Sequence, residues 1–283
     1  MSSCLQLLEK ESINLIREVI TTNKLEDIFC FYSIGKDSSV LLHLLKKAFY
    51  PEPIKIKFLH IDTGYKFKEM YEFRDKISKQ IDLEIYKNPA NLSPNQKDYT
   101  DVMKTQALKQ AIEKFNIKIA FGGSRREEEK SRAKERMVSV RDENLNWNPR
   151  NQNAEVNYLW NTYFTQSTTL RVFPLSNWTE LDIWEYIKQE NIEVVPLYFS
   201  HKRYVQNIDG QLFATEDNTG EIKQVRFRTL GCYPLSAGIE SFADSVDDII
   251  EELKHTKYTE RIGRKIDFDK EGSMEIKKRE GYF

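Results

Sequence analysis

Cysteine is scarce and scattered: Cys4, Cys30 and Cys232 are the only three in 283 residues. That excludes a disulfide framework, and no Cys-x-x-Cys pair is present to hold a metal. The four histidines, His43, His60, His201 and His255, show no ligand spacing either. No run of 18 apolar residues occurs, so no membrane-spanning helix is expected. Residues 1–10 carry charges where a signal peptide would need an apolar stretch, which makes a cytoplasmic protein the expectation. A basic surplus is missing too. The formal net charge of −1 argues against a nucleic-acid binder, so any anion site must be a local gathering of Lys and Arg. Internal repeats and low-complexity tracts are absent. With 40% apolar and 31% charged residues, what remains reads as a soluble globular chain of one or two domains.

The apolar pattern alternates between two periods. Leu5, Leu8, Ile13, Ile16 and Ile20 predict an opening helix. Ile28 to Tyr32 is a short buried run and predicts a strand. Val40, Leu41, Leu44, Leu45 and Ala48 then form the stripe of a helix that Pro51 and Pro53 stop. The unit repeats: strands are expected at Ile56–Ile61, Leu83–Tyr86 and Ile117–Phe121, and helices at Phe67–Ile81 and Val102–Phe115. Such alternation predicts an α/β fold, a doubly wound and mainly parallel sheet with helices on both faces. Residues 141–170 lack periodicity and read as a long excursion. Leu170–Phe173 is a further strand candidate. Thr179 is the expected cap of the next helix, with Asp182 in the capping-box position. Asp209-Gly210 predicts a hairpin, and Val246–His255 a last helix. This divides the chain into a nucleotide-binding unit at 1–200 and an extension at 201–283, ending in a charged tail.

Ligands of open parallel sheets bind at the carboxyl ends of strands. Ser33-Ile34-Gly35-Lys36-Asp37-Ser38-Ser39 lies at such an end and opens a helix, whose free N–H groups favour a phosphate. Gly35 permits close backbone approach, Lys36 adds a charge, and the serines add donors. It is neither a Walker A loop, since Cys30 stands where Gly is required, nor a dinucleotide fingerprint, since only one glycine is present. Asp62, ending the second strand in Leu59-His60-Ile61-Asp62-Thr63-Gly64, is either a nucleotide-site carboxylate or an N-cap. His60 is expected to pack on its strand. The fourth strand runs through Gly122-Gly123 into residues 124–136, with six basic and four acidic residues; these make either a solvated helix with pairs such as Glu128–Arg132 or an anion site. The glycines put Arg125 and Arg126 at the ligand rim, where guanidinium forks suit a tetrahedral dianion.

The first loop resembles the Ser-Gly-Gly-Lys-Asp-Ser motif of the adenine nucleotide alpha-hydrolase superfamily, with Ile34 where the motif has its first glycine. The Leu-His-x-Asp-Thr-Gly segment is similar to one shared by phosphoadenylyl-sulfate reductases and sulfate adenylyltransferase small subunits. Gly122 to Arg136 resembles the signature of the latter family, with Glu127 where Asp is common. Pro174 to Glu180, Arg226 to Cys232, and Gly272 to Phe283 extend the likeness over nearly the whole chain.

The resemblance implies transfer of AMP from ATP to sulfate, with release of pyrophosphate. Ser33, Gly35, Lys36, Asp37, Ser38, Ser39 and Asp62 would bind the nucleotide. Lys36, Arg125 and Arg126 would stabilise the transition state, and Arg125, Arg126, Arg132, Arg226 and Arg228 are candidates for holding sulfate. Magnesium would arrive with ATP, and no protein-bound metal site is expected. Since adenylyl sulfate is the less stable anhydride, the resemblance also implies a GTP-hydrolysing large subunit; this chain has no Gly-x-x-x-x-Gly-Lys-Ser/Thr loop of its own. Lys277, Lys278 and Arg279 would serve as a lid or partner contact. A reductase would need a reactive thiol near the carboxyl terminus, and no cysteine follows Cys232. A non-catalytic nucleotide sensor would have no need of Lys36, Asp37 and both arginines. A tRNA-modifying relative would need a basic RNA-binding surface.

Overall fold

Every residue of Ile28–Phe31 is buried, and this strand is the axis on which the fold is built. The computed structural model describes residues 3–256 and Glu260, apart from 97, 129, 157, 158, 163 and 216–218. In chain order the elements are α1 (Ser3–Thr22), β1 (Ile28–Phe31), α2 (Lys36–Phe49), β2 (Lys57–Asp62), α3 (Lys68–Ile77), β3 (Leu83–Lys87), α4 (Ala107–Lys114), β4 (Ile119–Phe121), α5 (Lys130–Ala133) and β5 (Val138–Arg141). There follow β6 (Glu155–Val156), β7 (Leu159–Trp160), β8 (Thr169–Val172), α6 (Glu180–Glu190), β9 (His201–Ile208), β10 (Gln211–Ala214), β11 (Glu221–Arg226), β12 (Ala237–Glu240) and α7 (Val246–His255).

The main sheet has the order β3-β2-β1-β4-β8-β5, parallel except for β5, which runs antiparallel to β8 at the edge. From β1 the chain steps outward through β2 and β3, then returns to the other side of β1 as β4. The gap between the carboxyl ends of β1 and β4 is therefore a topological switch point, where open α/β sheets bind ligands. Two apolar layers cover the sheet. One joins α1, α2, α6 and Trp178 to it, and the other packs α4 against Phe29, Phe31 and Leu59.

Several elements obey local rules. Thr179 and Asp182 form the expected capping box on α6, and Trp178 and Ile183 bury in one cluster beside it. Asp209 and Gly210 both have positive φ, 53° and 82°, the two-residue turn whose twist matches a β9–β10 hairpin. That hairpin joins β11 and β12 in a closed four-stranded barrel, order β10-β12-β11-β9. Other expectations need correcting. Residues 141–170 are not one long excursion, because β5 precedes them and β6 and β7 form a short hairpin within them. The helix expected from Val102 opens with a wider π-helical turn over Asp101–Gln106. The helix after β2 stops at Ile77, where the chain tightens and Gln80 N–H bonds Ile77 O at 2.8 Å. The basic residues Lys277, Lys278 and Arg279 lie outside the described residues. No helix among those described is long and apolar enough to cross a membrane.

Candidate active site

The segment after β1 folds over the start of α2. Ile34 takes the left-handed conformation, φ 73°, with its side chain fully buried. This turns the chain so that Gly35 becomes the N-cap of α2. Ser38 Oγ donates to Gly35 O at 2.8 Å, and Ser33 Oγ lies 3.3 Å from Ser38 Oγ. Ser39 Oγ also donates to Gly35 O, at 3.2 Å. The Lys36 amide donates to the buried hydroxyl of Tyr198 at 2.8 Å.

The loop after β4 presses on this turn. A methyl group at Gly123 would lie 3.2–3.3 Å from Asp37 and the Ser38 amide, so only glycine lets the two loops meet. Two residues on, Arg125 is 1% exposed. Its Nε donates to Asp37 Oδ1 at 2.6 Å, Nη1 to Glu127 at 3.2 Å and Nη2 to Glu260 Oε1 at 2.8 Å. Lys36, also 1% exposed, completes the cluster. Its ammonium meets Glu260 Oε2, donates to Arg228 O at 3.3 Å and lies 3.4 Å from Asp37. Burial disfavours the Lys36 charge, but Asp37 and Glu260 outweigh it and raise the pKa above the usual ammonium value. Burial likewise works against the Glu260 carboxylate, and Arg125 and Lys36 reverse it, holding the group below the carboxylate norm. The result is one buried carboxylate gripped by two buried cations at a helix N-terminus.

These groups open on a cavity of about 280 Å³ lined by residues from all three loops at the carboxyl ends of β1, β2 and β4. Phe31, Leu59 and Leu108 give it an apolar wall, while Lys66, Lys104 and Cys232 lie in the same lining. His60 is buried in its wall; Nδ1 meets Tyr32 O at 2.8 Å, which makes that nitrogen the donor. Burial, helped by nearby Lys66, drops its pKa to about 3. The neutral ring therefore turns a bare Nε2, with no partner of its own, into a hydrogen-bond acceptor.

The remaining sequence candidates are dispersed. Ser33, Gly35, Lys36, Asp37 and Ser38 line the cavity, with Ser39 one turn behind. Arg132 lines it too, against Ser124 and 3.6 Å from Glu128. Arg126 does not: its guanidinium turns to Asn177 and to Glu135 O. Asp62 is likewise outside the lining, where its carboxylate accepts from Gly64 N at 2.8 Å, Tyr71 OH at 3.2 Å and Arg74 at 3.1 Å. Burial raises its pKa, but the Gly64 amide and the cations around it prevail and keep it low. Arg226 is fully buried and paired with Glu252 on α7 at 2.5 Å, and Arg228 meets Glu180. Tyr198 and Glu260 were not foreseen from sequence, since they reach the loop from far along the chain. Lys66 had a weak signal in its place just after the second strand.

Comparison with known proteins accounts for this assembly. The model of the phosphoadenosine phosphosulfate reductase domain family matches residues 27–238. Sulfate adenylyltransferase subunit 2 of Pseudoalteromonas translucida is 54% identical, over 99% of this chain and 98% of that protein. Its counterpart from Aliivibrio fischeri is 52% identical, over 99% of this chain and 97% of its own. Among solved structures, FMN adenylyltransferase of Candida glabrata with FMN and an ATP analogue superposes with a TM-score of 0.55. That match is 17% identical, covers 93% of this chain and 92% of that one, and bears on the fold alone. With identity at this level running nearly end to end, the chain belongs to the sulfate adenylyltransferase subunit 2 family.

Proposed function

We propose that this chain transfers the adenylyl group of ATP to sulfate, giving adenylyl sulfate and pyrophosphate. The observation that carries the reading is Glu260, a carboxylate held jointly by Lys36 and Arg125 beside the first turn of α2. A seat that stabilises one buried anion is suited to the β and γ phosphates. The apolar wall of Phe31, Leu59 and Leu108 suits a purine, and the His60 Nε2 lone pair suits an N–H or O–H of the nucleoside. One sulfate oxygen forms a bond to the α-phosphorus, in line with the departing group. The bond from that phosphorus to the bridging oxygen breaks, and its electron pair leaves with pyrophosphate. No proton moves, so no general base is required. Positioning and charge supply the rate enhancement, Lys36 and Arg125 taking the growing charge on the leaving group.

Magnesium arriving with ATP fits the donors present. Among the described residues no three metal-ligating side chains converge. Such an ion needs only one or two carboxylates besides phosphate oxygens and water, and Asp37 and Glu128 both line the cavity. These two would hold it, and it would supply further neutralisation of the triphosphate. The relatives' name, subunit 2, supports a second subunit; with no Walker A loop in this chain, that partner is the one to hydrolyse GTP and drive synthesis. Residues 201–283 complete the site through Arg228 and Glu260 and offer the partner a surface. The complex works in the cytoplasm on ATP and sulfate.

The test is sulfate-dependent exchange of labelled pyrophosphate into ATP by the chain with its GTPase partner. Lys36→Ala should lower that exchange by about 10²–10³-fold, the usual cost of removing one transition-state donor. Exchange that ignores sulfate, or survives Lys36→Ala unchanged, overturns the reading.

A further inference from the structure

The arginines expected to hold sulfate are already engaged. Arg125 serves Asp37, Glu127 and Glu260, Arg226 serves Glu252, Arg228 serves Glu180, and Arg126 points out of the cavity. A second cationic group in the same cavity has a different character. Lys66, on the loop following β2, is half-buried and lines the cavity without an ion pair or hydrogen bond among the described residues. The acid nearest in sequence, Asp62, is occupied by Arg74, Tyr71 and Gly64.

Lys104 lines the same region from the π-helical turn Asp101–Gln106. Such turns are rare and recur at functional sites. The next residue, Thr105, has a buried hydroxyl with no partner. Between the lysines and the cavity floor sits Cys232, whose sulfur is 3.3 Å from Thr63 Oγ1 and 3.2 Å from Tyr99 OH.

The charge balance at this end is positive. The only carboxylates in the cavity lining are Asp37, Glu128 and Glu260, which belong with Lys36, Arg125 and Arg132. Burial and the neighbouring Lys104 depress Lys66, although Cys232 and Asp62 pull the other way. The Cys232 thiol responds in the opposite sense: burial raises it, but Lys104, Lys66 and the two hydroxyls more than compensate and bring it down. Lys36 answers to Asp37, Glu260, Glu180 and Tyr198, and Lys66 to Cys232, Lys104, Asp62 and Arg74, with no neighbour in common. One cavity thus holds two separate cationic clusters, one saturated with carboxylate and one not.

We propose that Lys66 and Lys104 seat the acceptor oxyanion, a tetrahedral dianion of the sulfate class, alongside the hydroxyls of Thr63 and Tyr99. This rests on the adenylyl-transfer reading and names the acceptor's place within it. An in-line displacement needs entering and leaving groups in different cationic sites, and Lys36 with Arg125 already provides the leaving side. Ammonium groups offer donors only, which suits sulfate, an anion with no proton of its own to place at neutral pH. A bound dianion and a Cys232 thiolate would compete for the same two lysines, so the thiol stays protonated when the acceptor is bound.

The experiment compares Lys66→Met and Lys66→Gln with the parent, each as the full chain in complex with its partner, in sulfate-dependent pyrophosphate exchange. Loss of one charge-assisted contact should raise the KM for sulfate about 10–100-fold. The Kd for ATP, by calorimetry, should stay within twofold, and Lys66→Arg should restore much of the loss. Arg126→Ala should leave the sulfate KM unchanged. A parent that needs no sulfate sinks the adenylyl-transfer reading itself. A sulfate-dependent parent whose Lys66 variants keep the parental sulfate KM, or lose ATP affinity in equal measure, overturns this assignment alone.

Discussion

Glu260 occupies the seat that the nucleotide's phosphates require, so neutralising it should tighten binding. Its two oxygens accept charge-assisted hydrogen bonds from Lys36 and Arg125. Each such bond nets about 1.5–3 kcal/mol, so evicting the carboxylate costs about 3–6 kcal/mol before the phosphates recover it. Glu260→Gln keeps the shape and removes the charge, and neutral hydrogen bonds are roughly half as strong. The cost of eviction then falls by about 1.5–3 kcal/mol, equivalent to about a 10–100-fold lower Kd for pyrophosphate or ATP. The ligand-free protein should pay for this in a lower Tm, because two buried cations lose a counter-charge. Asp37, 2.6 Å from Arg125 and 3.4 Å from Lys36, limits that loss. Calorimetric titration of the full chain with magnesium pyrophosphate measures the first effect and differential scanning the second. If Glu260→Gln binds pyrophosphate no better than the parent, the carboxylate is not a competitor for the seat, and the reasoning fails.

Gly123→Ala should raise the KM for ATP and lower kcat, since a methyl group 3.2–3.3 Å from Asp37 and the Ser38 amide must displace the loop. A shift approaching 1 Å would cost about 10²-fold in exchange rate, and unchanged kinetics would show that the two loops are not in register. Burial of His60 makes stability depend on pH in a definite direction. Its imidazole stays neutral in the folded chain down to about pH 3, while the unfolded ring protonates near 6.5. Stability should therefore be flat above about pH 6.5 and fall as pH drops below it, by about 2 kcal/mol at pH 5 from this group alone. Urea unfolding at pH 7.5 and pH 5 should show a smaller loss for His60→Gln than for the parent; equal losses would refute the assignment.

The parallel sheet was legible because each strand and helix carries its own apolar period, and the switch point follows from their order. Other features were hidden for physical reasons. In β5 the sequence Val138-Ser139-Val140-Arg141 is buried throughout, and a buried arginine in a strand contradicts the usual pattern. The structure satisfies it with Glu135 at 2.6 Å and Ser139 at 2.5 Å, a pairing that no local rule reveals. Arg125 and Arg126 looked equivalent in sequence, yet successive residues of an irregular segment face different ways, and only the first enters the cavity. Ile34 marks another limit. A β-branched residue at φ 73° bears a backbone strain of about 1–3 kcal/mol, offset here by complete burial of its side chain. A glycine would take the same turn without strain, but it would bury nothing.

Three of the contacts that hold Lys36 come from residues 162, 192 and 224 positions further along the chain. A ribosome adding about 5–20 residues per second needs roughly 10–45 s to travel from Lys36 to Glu260. Through that interval the nascent sheet can assemble its strands, since β1 to β4 are already made, but the lysine lacks its downstream clasps. Competence for ATP is therefore deferred to the end of synthesis, and a half-made chain has no finished site with which to sequester nucleotide.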